Sequence, residues 1–180
     1  MQLVIIYGAE ATGKLTIARQ VTQKTELKLF HNHISVDVGK VLFEYGDSAY
    51  DELVWKVRLL VLEAAAKNNS PGLVFTWAYS HPDFQPLLDR IIATMKPYQV
   101  DVHYVYVWCT QECLENRVRR SDRKAAGKLS TVEGLHHQQK TKNHAVIPGT
   151  NSLEIDNTDL SPSVVADMVI EEFHLPKVDT

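Results

Sequence analysis

Nine residues near the start, Gly8-Ala9-Glu10-Ala11-Thr12-Gly13-Lys14-Leu15-Thr16, constrain this chain more than any other stretch. They meet the pattern G-x-x-x-x-G-K and directly follow QLVIIY, residues 2–7. An unbroken apolar, β-branched run of that length predicts a strand buried on both faces, as in a parallel sheet. Leu15, Ile17, Ala18 and Val21 then recur at helical spacing, which predicts a helix over 12–25. A strand, a glycine-bearing turn and a helix start together form a cradle for anions. The glycines allow a tight backbone path, and the amides at the helix start carry unpaired N–H groups and the positive dipole end. Lys14 adds a mobile ammonium for the outer phosphates of a nucleoside triphosphate. All nine residues are therefore expected to contact that nucleotide, with ATP the expected one.

One position departs from the common form. Leu15 stands where a Ser or Thr usually follows the lysine and holds Mg²⁺; the hydroxyl comes one residue later, at Thr16. Mg²⁺ is then expected on ATP oxygens and waters, with Thr16 reaching it at most through water.

Strand and helix patterns alternate through the remaining chain. Strands are expected at 27–32, 73–79, 100–109 and 152–155, and helices at 35–45, 48–69, 82–96, 110–123, 131–143 and 161–173. The helix over 48–69 takes its apolar stripe from Val54, Val57, Leu60, Val61 and Ala64, and Asn68-Asn69-Ser70-Pro71-Gly72 stops it. Thr110 and Ser161 are the expected N-caps, with Pro162 at a first helical position. Ala125-Ala126-Gly127 interrupts the pattern between helices. The alternation predicts an α/β fold: a five-stranded parallel sheet with helices on both faces, in one domain of 180 residues.

A formal net charge of -3 argues against non-specific nucleic-acid binding. No run approaches a membrane span, and two cysteines four positions apart, Cys109 and Cys113, suit a reducing cytoplasm and supply no zinc site. Trp77, Trp108 and both cysteines are expected in the core, and His136 and His137 in solvent. A monomer or a homodimer fits this composition equally well.

The loop and layout resemble the P-loop kinases of the nucleoside-monophosphate kinase and shikimate kinase group. Adenylate kinases carry the same Gly-Lys-x-Thr ending, with Gly where this chain has Leu15. The chain looks closest to a bacterial branch of small ATP-binding proteins labelled AAA-like or shikimate-kinase-like, in which GKLT and an Asn-His after strand two recur; Asn32-His33 match the latter here. The resemblance covers nearly the whole chain, although only the loop is a specific motif. It implies the strand order 2-3-1-4-5, a basic lid over about 119–149, and a loop at Asp156-Asn157-Thr158 beneath the adenine ring. Shikimate kinases place aspartates after strand two and a Gly-rich run after strand three. Here those places read His31-Asn32-His33 and Thr76-Trp77-Ala78-Tyr79, which argues against shikimate.

Arg117, Arg119, Arg120 and Arg123 crowd one stretch, followed by Lys124 and Lys128. Phosphoryl transfer builds negative charge on equatorial oxygens, which such cations offset. By resemblance Arg117, Arg123 and Lys128 are the lid residues best placed to do so. A solvated basic helix end is the competing reading.

On the acceptor side, ligands sit beyond the carboxyl ends of the strands. That places Asn32, His33, Thr76 and Tyr79 beside a small-molecule phosphoryl acceptor, with Asp37 one helical turn beyond His33 as a candidate base. Arg58 matches, by resemblance, an adenylate kinase arginine that grips the acceptor phosphate. Against these stand plainer roles: helix capping for Asn32 and His33, a first-turn acid for Asp37, and a surface pair with Glu63 or Asp51 for Arg58. Two functions follow. One is an ATP-dependent kinase of a small molecule, with Lys14, Arg117, Arg123 and Asp37 as its chemistry. The other is an ATP-gated binding or regulatory module with little turnover, which Leu15 favours.

Overall fold

A computed structural model describes residues 1–68, 70–125 and 127–178. Asn69 of the expected stop signal, Ala126 of the expected break and the last two residues lie outside them. Five parallel strands lie in the order β2-β3-β1-β4-β5: β1 Gln2–Tyr7, β2 Lys28–His31, β3 Gly72–Trp77, β4 Asp101–Trp108 and β5 Ser152–Asp156. β1 occupies the centre, with Tyr7 in register with Trp77 on one side and Tyr106 on the other. Its alternate residues feed two cores. Leu3, Ile5 and Tyr7 pack with Phe75, Trp77 and Leu62, while Val4 and Ile6 pack with Ile17, Val21, Val165 and Val169. A run apolar at every position is what a strand covered on both faces needs.

The helices are α1 Lys14–Lys24, α2 Asn32–Lys40, α3 Ser48–Lys67, α4 Gln85–Met95, α5 Gln111–Val118, α6 Ser121–Ala125, α7 Val132–Thr141 and α8 Pro162–Glu172. α1 packs with α8 on one face of the sheet and α3 with α4 on the other. Thr110 and Ser161 cap as expected, accepting from the Cys113 and Val164 amides. No helix among the described residues is long and apolar enough to cross a membrane.

Several local expectations need correction. α2 starts directly at the end of β2, where the Asn32 amide donates to Thr76 Oγ1 at 3.2 Å, and it ends at Lys40 rather than Tyr45. Gly39 sits under α3 there; an added Cβ would lie 2.7 Å from Val54. The α3 stripe is the i+4 row Tyr50, Val54, Arg58, Leu62 and Ala66, and Leu60 is two-thirds exposed. α5 stops at Val118 and α6 restarts at Ser121, so the arginine-bearing stretch bends. α4 begins at Gln85, after the turn at Pro82. Trp108 is 40% exposed, at the last position of β4, whereas Trp77 is buried as expected.

Candidate active site

The loop between β1 and α1 has the backbone its glycines allow. Gly8 has φ 140, and a Cβ there would lie 2.2 Å from the Val107 carbonyl oxygen of the neighbouring strand. Gly13 caps α1 at φ 92. Ala11, at φ 66, takes a left-handed conformation that costs a non-glycine residue about 1 kcal/mol or more. Lys14 folds back into the loop: Nζ donates to the Gly8 carbonyl at 2.8 Å and to the Ala9 carbonyl, with Thr12 Oγ1 at 3.4 Å. Burial pushes its pKa down to about 8, against the pull of Glu10 and with the push of Arg123 and Lys128. The loop thus encloses a cation held by neutral carbonyls, an arrangement that an anion improves.

A cavity of about 480 Å³ opens over this loop. Lys14, Thr16, Arg123 and Lys128 line it, together with Asn32, His33 and Thr76. Arg123 is fixed by Nε donating to the Leu129 carbonyl at 2.9 Å. Burial lowers the pKa of Arg123, and burial with the charge of Arg123 lowers that of Lys128. Burial and the charge of Lys128 likewise lower His33, so its imidazole is neutral at pH 7.

Arg117 takes another position. Nη1 donates to the Thr12 carbonyl at 3.2 Å and to Asn157 Oδ1 at 3.0 Å, and Nη2 donates to the Asn157 carbonyl at 2.9 Å. Asn157 Nδ2 donates in turn to the Thr12 carbonyl at 2.7 Å. The guanidinium therefore braces the outer side of the loop. It borders a second cleft of about 420 Å³, lined by Thr110, Cys113, Asn116 and Thr158. Gly13 stands between the two spaces, with Arg117 3.9 Å and Asn157 3.6 Å from where its Cβ would be.

Three expected acceptor-side residues lie off the cavity. Asp37 is exposed and does not line it. Tyr79 is fully buried, its hydroxyl donating to Gln85 at 2.7 Å. Arg58 is buried behind Asn32, so the expected surface pair with Glu63 or Asp51 does not form. Nε donates to Ser35 Oγ at 2.9 Å, Nη2 donates to Asn32 Oδ1, and the guanidinium lies over the Trp55 ring at 4.3 Å. Burial lowers its pKa to about 10. Arg58 acts on the cavity through Asn32, whose side chain it holds. Arg120 pairs with Asp122 at the surface, and exposed His136 lies 2.8 Å from Glu115.

Past α7 the chain is stapled to the sheet. The Asn143 amide donates to Ser80 Oγ at 3.1 Å, the His81 amide donates to the Asn143 carbonyl at 2.9 Å, and the Ile147 amide donates to Tyr7 at 3.0 Å. The last part of the expected lid, from 143 on, thus belongs with the core. His144, in this staple, lies 3.2 Å from Glu10 of the loop.

No family model and no curated protein matches this sequence. Solved structures do. An unliganded sugar kinase from Janibacter sp. superposes with a TM-score of 0.71 at 14% identity, over 97% of this chain and 95% of its own. The tunicamycin resistance protein of Deinococcus radiodurans gives 0.65 at 16% identity, over 99% of each chain. The APS kinase CysC of Mycobacterium tuberculosis, solved with AMPPNP and APS, gives 0.59 at 14% identity, over 96% of this chain and 97% of its own. This chain shares the fold of these structures.

Reasoning from sequence missed two contacts to the loop after β1. Asn157 reaches the loop from 145 positions away, and His144 reaches Glu10 from 134 away. No local pattern encodes either. Lys40 also lines the cavity, one turn beyond Val36 on the same face of α2, and that spacing could have shown it.

Proposed function

We propose that the protein is an ATP-dependent kinase acting on a small molecule. One observation carries this reading: the enclosed Lys14 ammonium, Arg123 and Lys128 share a single cavity with the polar wall of Asn32, His33 and Thr76. Burial and the charges of Arg123 and Lys128 lower the pKa of Lys14, a crowding of cations suited to a polyphosphate, and the polar side chains in the same cavity give room for an acceptor. The nucleobase would occupy the cleft beside Thr110, Asn116 and Thr158, with the phosphates passing over Gly13 to Lys14. Catalysis would be positioning and charge compensation by Lys14, Arg123 and Lys128, with Arg117 holding the loop in shape.

The residues fit Mg²⁺ only as a partner of the nucleotide. No group of three His, Cys, Asp or Glu among the described residues could hold a metal, and Leu15 offers no hydroxyl. Bound with ATP, Mg²⁺ would neutralise phosphate charge, and Thr16, which lines the cavity, would meet it through water.

ATP consumption against a panel of nucleotides, sugars, polyols and aminoglycosides, with Lys14→Ala as control, tests this. Acceptor-dependent turnover that Lys14→Ala abolishes supports a kinase. Tight ATP binding without turnover on any acceptor supports the ATP-gated regulatory module instead.

A further inference from the structure

Lys40 stands apart from the other cations of the cavity. It closes α2, the helix that also supplies Asn32 and His33. His33, Val36 and Lys40 follow at i, i+3 and i+7, so one helix face brings all three to the cavity lining. Gly39 fixes where that face ends. It lies so close under α3 that a Cβ would meet Val54 at 2.7 Å and Tyr50 at 2.8 Å. The charge of Lys40 reaches His33 and adds to burial and the charges of Lys128 and His31 in lowering its pKa. Lys14 instead feels Arg123 and Lys128. With Mg²⁺ offsetting part of the phosphate charge, those three suffice for a triphosphate. Lys40 is left without a counter-charge. Among the described residues it forms no ion pair, even with Asp37 one turn back. Glu10, the only acid among the described lining residues, has Lys14 and His144 beside it instead.

We infer that Lys40 binds an anionic group of the phosphoryl acceptor, a carboxylate or a phosphate, and so selects acceptors that carry negative charge away from the reacting atom. This rests on the kinase reading above. The contact is a charge-assisted hydrogen bond from Nζ to an acceptor oxygen. An ammonium on a flexible stem needs no fixed fork geometry, so it suits either kind of anion. An uncharged sugar or polyol forgoes that bond. An aminoglycoside is a polycation and would meet like charge at Lys40 as well as at Lys14, Arg123 and Lys128.

Inorganic phosphate and acetate, titrated into protein saturated with Mg²⁺ and AMPPNP, are the probes. AMPPNP fills the phosphate loop, so the anions report on the rest of the cavity, and the imidazole NMR signals of His33 follow them. An anion beside Lys40 favours the imidazolium and should raise the pKa of His33. In the wild type at least one of the two should bind saturably; tighter phosphate assigns a phosphate ester, tighter acetate a carboxylic acid, and either supports the inference. Lys40→Met should weaken that binding about tenfold, and Lys40→Arg should restore most of it. Circular dichroism checks that both variants are folded, and AMPPNP affinity should stay within about twofold in each. For any acceptor that the ATP-consumption panel identifies, Lys40→Met should raise KM about tenfold. No saturable binding of either anion to the wild type would overturn the inference. So would equal binding by Lys40→Met, the result for a lysine that only complements the helix dipole, or turnover of an uncharged acceptor with a KM that Lys40→Met leaves unchanged. A wild type that does not bind AMPPNP would sink the kinase reading itself.

Discussion

Arg117 grips Asn157 with both arms, Nη1 to the side-chain oxygen at 3.0 Å and Nη2 to the carbonyl at 2.9 Å, and both residues then donate to the Thr12 carbonyl. The phosphate loop is thereby tied to α5 and to the loop after β5. Arg117→Ala leaves those acceptors without their charged donor. It is expected to cost about 2–4 kcal/mol of stability. Urea unfolding measures that loss, and calorimetry should show weaker ATP binding because the loop is no longer braced. A guanidinium that merely decorated a solvated helix end would cost well under 1 kcal/mol.

Lys14 titrates near pH 8 in the free protein, against 10.5 for an ordinary lysine. A triphosphate favours the ammonium, so binding raises this pKa. The sign follows: ATP affinity holds below pH 8 and falls above it, approaching tenfold per pH unit as the free site loses its proton. Titrations at pH 8 in buffers of different ionisation enthalpy should show net proton uptake, about half a proton per site. Proton release would contradict the assignment.

For Glu10, burial would raise the pKa, but the contact with His144 and the charge of Lys14 outweigh it and hold the group at about 2, against 4.5 for an ordinary glutamate. A depressed carboxylate contributes stability that is present above the ordinary value and lost as pH falls toward the folded one. Glu10→Gln should therefore be less stable than the wild type at pH 7, by about 2 kcal/mol. The gap should close between pH 4.5 and pH 2. Thermal melts across that range read it directly.

Gly8→Ala combines a left-handed φ with a Cβ placed 2.2 Å from the Val107 carbonyl oxygen, an atom of the adjacent strand that cannot step aside. The expected cost is roughly 3–6 kcal/mol. The variant should be unfolded or nearly so at 37 °C, as read by circular dichroism.

Arg58→Lys should separate the two halves of the cavity. Lysine loses the fork to Ser35 and Asn32 and the stacking on Trp55, at about 1–3 kcal/mol of stability. The phosphate loop makes no bond to Arg58, so ATP affinity should stay within about twofold of wild type, while KM for the acceptor rises because Asn32 is loose.

The sheet and the strand–loop–helix at its centre were legible in the sequence because their determinants are local. An apolar run at every position marks a strand covered twice, and the glycines and lysine follow within eight residues. The acceptor side was not, because it depends on which face each helix presents. Asp37, Tyr79 and Arg58 were all expected on the cavity and lie off it. For Arg58 the signal was present: Tyr50, Val54, Leu62 and Ala66 stand at multiples of four from it, and that row is the buried one. Choosing Val57, Leu60 and Ala64 as the stripe turned the arginine outward and suggested a surface pair. The bend at Val118 was hidden for a related reason: the polar stretch that follows has no apolar period to show where one helix ends.

The bonds that tie Asn143, His144 and Ile147 to Ser80, Tyr79 and Tyr7 make the basic arm an asymmetric one. Its return end is anchored in the body, so any swing of residues 119–142 must pivot at the joint between α5 and α6. Arg123 and Lys128, nearer that joint, would travel with the arm. Glu10, beside His144 at the anchored end, would stay in place together with Lys14, so the cations of the cavity divide between a stationary part and a part that a swing could carry.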